Sequence, residues 1–230
     1  MPDWKEIWSR KPVTSEGSLT QQALIEADGF NNGAGKVELE DWLSYVNAVR
    51  RMLSIAPTDS IFEFGCGSGA LLYEFYRQGH HVGGIDYSKA LVDVAQEVMP
   101  EGAFTVSEAI QVEVALTYDM VISNSVFQYF PDFAYAEEVL NRMWEKSNKK
   151  IGLFDLNDLA RKDEALEIRR GSLDQGEYEK KYNGLDHLFF EREYFPKLLK
   201  DKNCSVSVFD QRINNYGNSP FRFNVVIEKW

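Results

Sequence analysis

Residues 61–69, Ile-Phe-Glu-Phe-Gly-Cys-Gly-Ser-Gly, constrain this chain more than any other stretch. Ile61, Phe62 and Phe64 suit a short buried strand. Gly65, Gly67 and Gly69 suit a turn whose backbone approaches a ligand closely, because glycine accepts positive φ and carries no Cβ. Ala70 to Tyr76 suits the helix that follows, so the segment reads as strand, turn and helix. A second apolar run reaches Gly84-Ile85 and ends on Asp86, about 20 residues past the turn, where an acid meets a ligand held on such a turn.

The rest of the chain extends that unit. After a polar, glycine-dotted segment from Arg10 to Lys36, positions Leu39, Leu43, Val46, Val49 and Leu53 fall at helical spacing within 37–53. Strand-like runs then alternate with helical patterns: Ser60–Phe64 and a helix to Gln78; Val82–Asp86 and a helix over Ser88–Val98; Ala103–Ser107; Met120–Ser123 and a helix over Asp132–Trp144; then Ile151–Asp155. Such alternation is the pattern of a parallel sheet covered by helices on both faces. Residues 156–188 break the rhythm with a charged helical stretch from Leu159 to Arg170 and a tyrosine-rich loop, followed by a helix near 191–200. Ser205–Phe209 and Phe221–Ile227, joined by the turn-rich 214–220, read as an antiparallel hairpin. We expect an N-terminal cap segment over 1–36 and one main domain over 37–230, with 156–188 inserted at the carboxyl end of a strand.

Composition removes several function classes. A formal net charge of −11, with lysine and arginine scattered, would repel a phosphate backbone, so nucleic acid is not an expected partner. The two cysteines, Cys66 and Cys204, suggest no disulfide framework, and no metal-type spacing of cysteine and histidine occurs. No run approaches the ~20 apolar residues of a membrane span, and the N-terminus reads as no export signal, so a soluble cytoplasmic protein is expected, monomer or homodimer.

The turn by itself also satisfies a dinucleotide fingerprint, Gly65-x-Gly67-x-x-Ala70, and a nicotinamide-dependent oxidoreductase is the competing reading. Glu63 separates the two. A carboxylate two residues ahead of the first glycine would face a pyrophosphate with like charge, whereas it suits a ligand bearing an ammonium or sulfonium.

Three segments carry a resemblance to a known family: Glu63-Phe64-Gly65-Cys66-Gly67-Ser68-Gly69, Gly84-Ile85-Asp86-Tyr87-Ser88 and Tyr118-Asp119-Met120-Val121-Ile122-Ser123-Asn124. They resemble motifs of the class I S-adenosylmethionine-dependent methyltransferases, over about residues 37–155. The resemblance implies a three-layer, Rossmann-like α/β fold with seven strands, mostly parallel, ending in an antiparallel hairpin. It also implies S-adenosyl-L-methionine as cofactor, S-adenosyl-L-homocysteine as product and a small-molecule acceptor. By position it sets the turn Glu63, Gly65, Cys66, Gly67 and Gly69 against the methionine part of the cofactor, and Asp86, with Tyr87 and Ser88 beside it, on the ribose hydroxyls. A carboxylate accepting two bonds from a vicinal diol makes that last role physically sound. Glu108 resembles the acid that recognises the adenine amino group, with Ala109 alongside, and Ser123, Asn124 and Ser125 at the far end of a strand face the cleft. Asp119 reads as a structural carboxylate.

The acceptor side is less defined. His80 and His81 precede a strand, away from its carboxyl end, and read as structural; His187, in the inserted loop with Tyr182 and Asp186, is the candidate base or substrate ligand. Gln128 and Tyr129 follow the fourth strand, and Tyr129 carries a hydroxyl able to bond an acceptor. Tyr216 and Arg222, in the turn-rich region before the last strand, suit sugar hydroxyls or an anion, although a plain hairpin turn explains most of that segment. Arg169 and Arg170 would suit an anionic substrate or simply a solvated helix face. Trp4 and Trp8, four apart, share a helix face that would close over the cleft or pack on the core. The expected reaction is methyl transfer to a hydroxyl, or an amine, of a small polar metabolite, in which a hydroxyl needs a base within reach. A methyltransferase-like binding subunit without turnover is the non-enzymatic alternative.

Overall fold

A computed structural model describes residues 4–9, 19–31, 33–171 and 173–230. Part of the expected cap segment over 1–36, and Asn32 in its glycine loop, lie outside the described residues. The elements in order are α1 (Trp4–Ser9), α2 (Gln21–Ala27), α3 (Leu39–Leu53), β1 (Ile61–Phe64), α4 (Ala70–Arg77), β2 (Val82–Asp86), α5 (Lys89–Val98), β3 (Ala103–Val106), β4 (Tyr118–Asn124), α6 (Phe133–Lys146), β5 (Ser147–Asn157), α7 (Lys162–Arg170), α8 (Gln175–Tyr182), α9 (Tyr194–Leu198), β6 (Cys204–Asp210) and β7 (Arg222–Lys229).

They form one seven-stranded sheet in the order β3-β2-β1-β4-β5-β7-β6. β1 to β5 run parallel, with Ile61 opposite both Val82 and Met120, and β7 inserts antiparallel between β5 and β6. Side chains alternate across the sheet with the period of two that a pleat imposes. Ile61, Met120 and Ile122 join α3, α4 and α5 in one core, while Phe62, Phe64 and Val121 join α6 and α9 in the other. β1 and β4 are sheet neighbours although β2 and β3 lie between them in the chain, so the strand order reverses there and leaves a crevice at the carboxyl ends of the strands.

Two local elements differ from expectation. Residues 175–182 form α8 instead of continuing a loop, because Asp174 accepts the Glu177 N–H at 2.9 Å while Glu177 accepts the Asp174 N–H at 3.0 Å, a reciprocal cap that satisfies two helix-start donors. The tyrosines read as loop residues are helix partners, Tyr178 and Tyr182 lying 4.8 Å apart at i, i+4. The helix expected over 191–200 is limited to Tyr194–Leu198. Among the described residues no helix is long and apolar enough to cross a membrane, and no group of three or more His, Cys, Asp or Glu is placed to hold a metal ion.

Candidate active site

The glycine turn leaves β1 with Gly65 at φ 72° and Gly67 at φ 52°, a region L side chains rarely enter. A Cβ on Gly65 would strike Val126, and one on Gly67 would strike the Asp28 carboxylate, so the turn is closed on both sides by neighbouring side chains. Asp86, at the end of β2, pins the turn: its carboxylate accepts the Gly67 N–H at 3.0 Å and the Ser88 N–H at 2.8 Å. Asp28, following α2, accepts the N–H groups of Ser68 at 2.6 Å and Ala70 at 3.2 Å, capping α4 from a distant part of the chain.

Two cavities open from this frame. The first, of about 590 Å³, is lined among others by Glu63, Gly65, Cys66, Gly67, Asp86 and Tyr87 at one end and by Glu108, Ala109, Phe130 and Tyr135 at the other. The second, of about 320 Å³, is lined by residues that include Asn157, Arg169, Tyr182, His187, Tyr216 and Arg222. Trp8, Asp28, Phe30, Ser125 and Tyr129 line both, so the cavities meet at those five residues.

The first cavity concentrates acidic side chains. Glu63 is buried, its Oε2 makes no hydrogen bond among the described residues, and burial, then repulsion from Asp28 and Asp86, pushes its carboxyl well up. Burial outweighs the Ser68 and Ala70 N–H groups and lifts Asp28 to about 7. Asp86 is also raised by burial, against the N–H groups of Ser88, Gly67 and Tyr87 that pull it down. Three acids held this way are complementary to a ligand that brings positive charge. At the far end the Glu108 carboxylate pairs with Lys5 and accepts the Tyr135 hydroxyl at 3.0 Å.

Two non-glycine residues with positive φ lie at or behind the cavities. Ser125, directly after β4, has φ 57°; its N–H donates to Phe154 O at 2.9 Å and its Oγ accepts from Gln128 Nε2 at 2.9 Å. Asp155, with φ 59° in an irregular part of β5, is fully buried and accepts the Tyr216 hydroxyl at 3.0 Å. Non-glycine residues in that region concentrate at functional sites.

α1 covers the junction. Trp4 stacks on His187 with ring centroids 4.8 Å apart and meets Tyr129 edge-on at 4.9 Å, while its indole N–H donates to Asp186 O at 2.9 Å. Trp8 meets Tyr129 at 5.6 Å. The pair therefore faces the cleft. His187 Nε2 is shut off from solvent and makes no hydrogen bond among the described residues; burial first, then Arg169 and Arg222, hold its pKa well below the ordinary histidine value.

The structure brings most of the expected residues to these cavities. Asn124 and Asp186 line the first, with the Asn124 Oδ1 accepting the Tyr45 hydroxyl at 2.6 Å. Four lie elsewhere. Ser123 points away and donates to Phe64 O at 3.0 Å; Ser88 works through its N–H on Asp86; Gly69 sits against Met99; and Gln128 is wholly buried behind Ser125. His80, buried, makes a 2.8 Å contact to Asp59 O, and Asp119 accepts the Ser60 N–H at 2.9 Å, both structural as read. Ser125, expected at the cleft, lines both cavities, and the residues sequence reading passed over are Asp28 and Asn157. An Asp-Gly at a helix end reads as an ordinary stop signal, and Asn157 lies past the expected end of its strand.

Comparison with known proteins follows this geometry. Residues 62–149 match a family described as a methyltransferase domain. A peramine synthetase, ppzA, of Metarhizium rileyi is 27% identical over 188 residues, which is 74% of this chain but 6% of that protein, so the chain spans a small fraction of that relative's length. Among solved structures, the magnesium protoporphyrin IX methyltransferase of Synechocystis PCC 6803, crystallised with bound SAH, superposes with a TM-score of 0.63 at 16% identity, covering 95% of this chain and 91% of that one. The plantazolicin methyltransferase BpumL, in complex with a desmethyl analogue and SAH, gives 0.62 at 15% identity, covering 91% and 95%. The fold is the Rossmann-like class I methyltransferase fold.

Proposed function

We propose that this chain, a methyltransferase domain over residues 62–149 on the class I fold, moves a methyl group from S-adenosyl-L-methionine to a hydroxyl of a small polar metabolite. The observation that carries the reading is the convergence of Glu63, Asp28 and Asp86 on one cavity at the glycine turn, with that cavity meeting a second one at Trp8, Ser125 and Tyr129. The unsatisfied Glu63 Oε2 and the upward-shifted acids fit a cationic ligand and oppose the pyrophosphate of a dinucleotide.

Glu63 and Asp28 would hold the cationic methionyl end, Asp86 the ribose hydroxyls, and Glu108 with Ala109 the adenine. When bound, the cofactor supplies an electrophilic methyl on a sulfonium with a neutral thioether as leaving group. The chain's own part is alignment and exclusion of water, which contributes up to about 7–11 kcal/mol in well-oriented reactions. Trp8 and Tyr129 wall the junction where donor and acceptor would meet, and Trp4 packs on the side occupied by His187. His187 is neutral at pH 7, and its unpartnered Nε2 is available to take the proton of an acceptor hydroxyl. This supports an oxygen acceptor over nitrogen.

Trp8, Asp28 and Phe30 from the N-terminal part and Leu166, Arg169, Tyr182 and His187 from the 156–188 insertion line the second cavity, and its volume of about 320 Å³ suits a small metabolite better than a protein tail. The net charge of −11 supports a partner set without nucleic acid, and a cytoplasmic setting, as monomer or homodimer, accompanies the reading. Isothermal titration with S-adenosylhomocysteine and with NAD tests the assignment. Micromolar binding of the first and none of the second is expected; preferential NAD binding refutes it.

A further inference from the structure

The second cavity holds two guanidinium groups, neither of them in a close ion pair among the described residues. Arg222, at the start of β7, has a side chain only 11% exposed. It donates through Nη1 to Asn157 Oδ1, and its nearest carboxylate, Asp155, stands 3.9 Å from Nε. That carboxylate is shared, accepting the Tyr216 hydroxyl at 3.0 Å and Gln211 Nε2 at 3.4 Å. Arg169, on α7, donates to Leu185 O at 3.0 Å and lies over the Tyr182 ring at 4.1 Å, with no ion pair among the described residues. Asp28 also lines this cavity but turns its carboxylate to the Ser68 and Ala70 N–H groups, so among the described residues Asp155 alone stands within ion-pair distance of either guanidinium, in a cavity that Leu166 and Phe189 also wall. Partly desolvated positive charge of this kind recruits an anion, and the flat, forked donors of arginine match a carboxylate through two parallel hydrogen bonds.

We infer that the methyl acceptor is a small hydroxy acid, its carboxylate held by Arg222 and Arg169 and its apolar carbons against Leu166 and Phe189, with the hydroxyl the group that is methylated. The term acceptor rests on the methyltransferase reading; the anion site itself does not. With Asp28 and Asp155 near the two guanidiniums, a monoanion is matched better than a phosphate dianion, and the 320 Å³ cavity admits a metabolite of modest size.

The test uses the full chain saturated with S-adenosylhomocysteine, whose own binding is measured first by calorimetry. Three matched pairs are then titrated, benzoate with benzamide, phenylacetate with phenylacetamide and hexanoate with hexanamide, together with inorganic phosphate. At least one acid is expected to bind about tenfold more tightly than its amide and more tightly than phosphate, as a charge-assisted contact requires. Arg169→Gln and Arg222→Gln are each expected to reduce that preference toward parity while S-adenosylhomocysteine affinity is kept. Should Arg222→Gln fail to fold, Arg169→Gln decides alone. The proposal is overturned if no acid outbinds its amide, if phosphate binds more tightly than every acid, or if the preference survives in Arg169→Gln. A chain that does not bind S-adenosylhomocysteine overturns the methyltransferase reading instead, and the acid and amide titrations without it still judge the anion site.

Discussion

Cofactor affinity is expected to depend on pH through Asp28, a residue that touches both cavities. Its carboxyl is lifted to about 7 by burial, so near neutral pH it is divided between the acid and the carboxylate. Only the carboxylate attracts a cationic methionyl group. The ionised fraction falls from about ten-elevenths at pH 8 to about one-eleventh at pH 6, and apparent affinity scales with the competent fraction, so S-adenosylmethionine should bind about tenfold more weakly at pH 6. Glu63, shifted up in the same cavity, steepens the dependence. The stability effect in the cofactor-free chain has the opposite sense. The fold keeps a proton on Asp28 that the unfolded chain, with the ordinary value of 3.8, has released; stability from this group is therefore full below about pH 4 and is lost as pH rises toward 7. Calorimetry at pH 6, 7 and 8, in buffers of differing ionisation heat, measures both affinity and protons released, with release approaching one per cofactor at pH 6. Asp28→Asn should bind more weakly at pH 8 and with a flatter profile. Equal affinity at pH 6 and 8, or an unchanged slope in Asp28→Asn, refutes the reasoning.

Asp86→Ala removes the acceptor of the Gly67 and Ser88 N–H groups and the proposed ribose contacts; losing two charge-assisted bonds at about 1.5 kcal/mol each predicts S-adenosylhomocysteine binding weaker by about 100-fold, read by calorimetry. Gly67→Ala forces a Cβ into the Asp28 carboxylate at a φ of 52°, and chemical denaturation should show a loss of about 1–3 kcal/mol along with cofactor binding. In an NMR titration His187 should protonate well below the ordinary value of 6.5, and the stability this neutral ring provides should be lost as pH falls, because the unfolded chain takes up the proton first. Once an acceptor is in hand, His187→Ala should lower kcat by ~100-fold at unchanged S-adenosylhomocysteine affinity; an unaltered rate removes it as the base.

The succession of strands along the chain, the glycine turn and the acids Glu63 and Asp86 are legible in the residues alone. These are local matters: apolar runs of strand length, glycines where φ must be positive, and acids at strand ends are all set by backbone sterics and pleat alternation within a few residues. The same local rule could mislead by one position, since Ser123 and Asn124 were read together and pleat parity sends Ser123 to the Phe64 carbonyl and Asn124 to the cavity. The α8 cap was legible in Asp174 and Glu177, yet the tyrosines nearby drew the reading toward a loop. What only the tertiary structure decided is which distant groups meet. Asp28 caps a helix that begins at Ala70; Trp4 stacks on His187; Arg222 faces Asp155 and Asn157. Each pairing is made by the packing of elements far apart in the chain, and the charge balance and pKa shifts of both cavities follow from burial, which no short window of sequence contains.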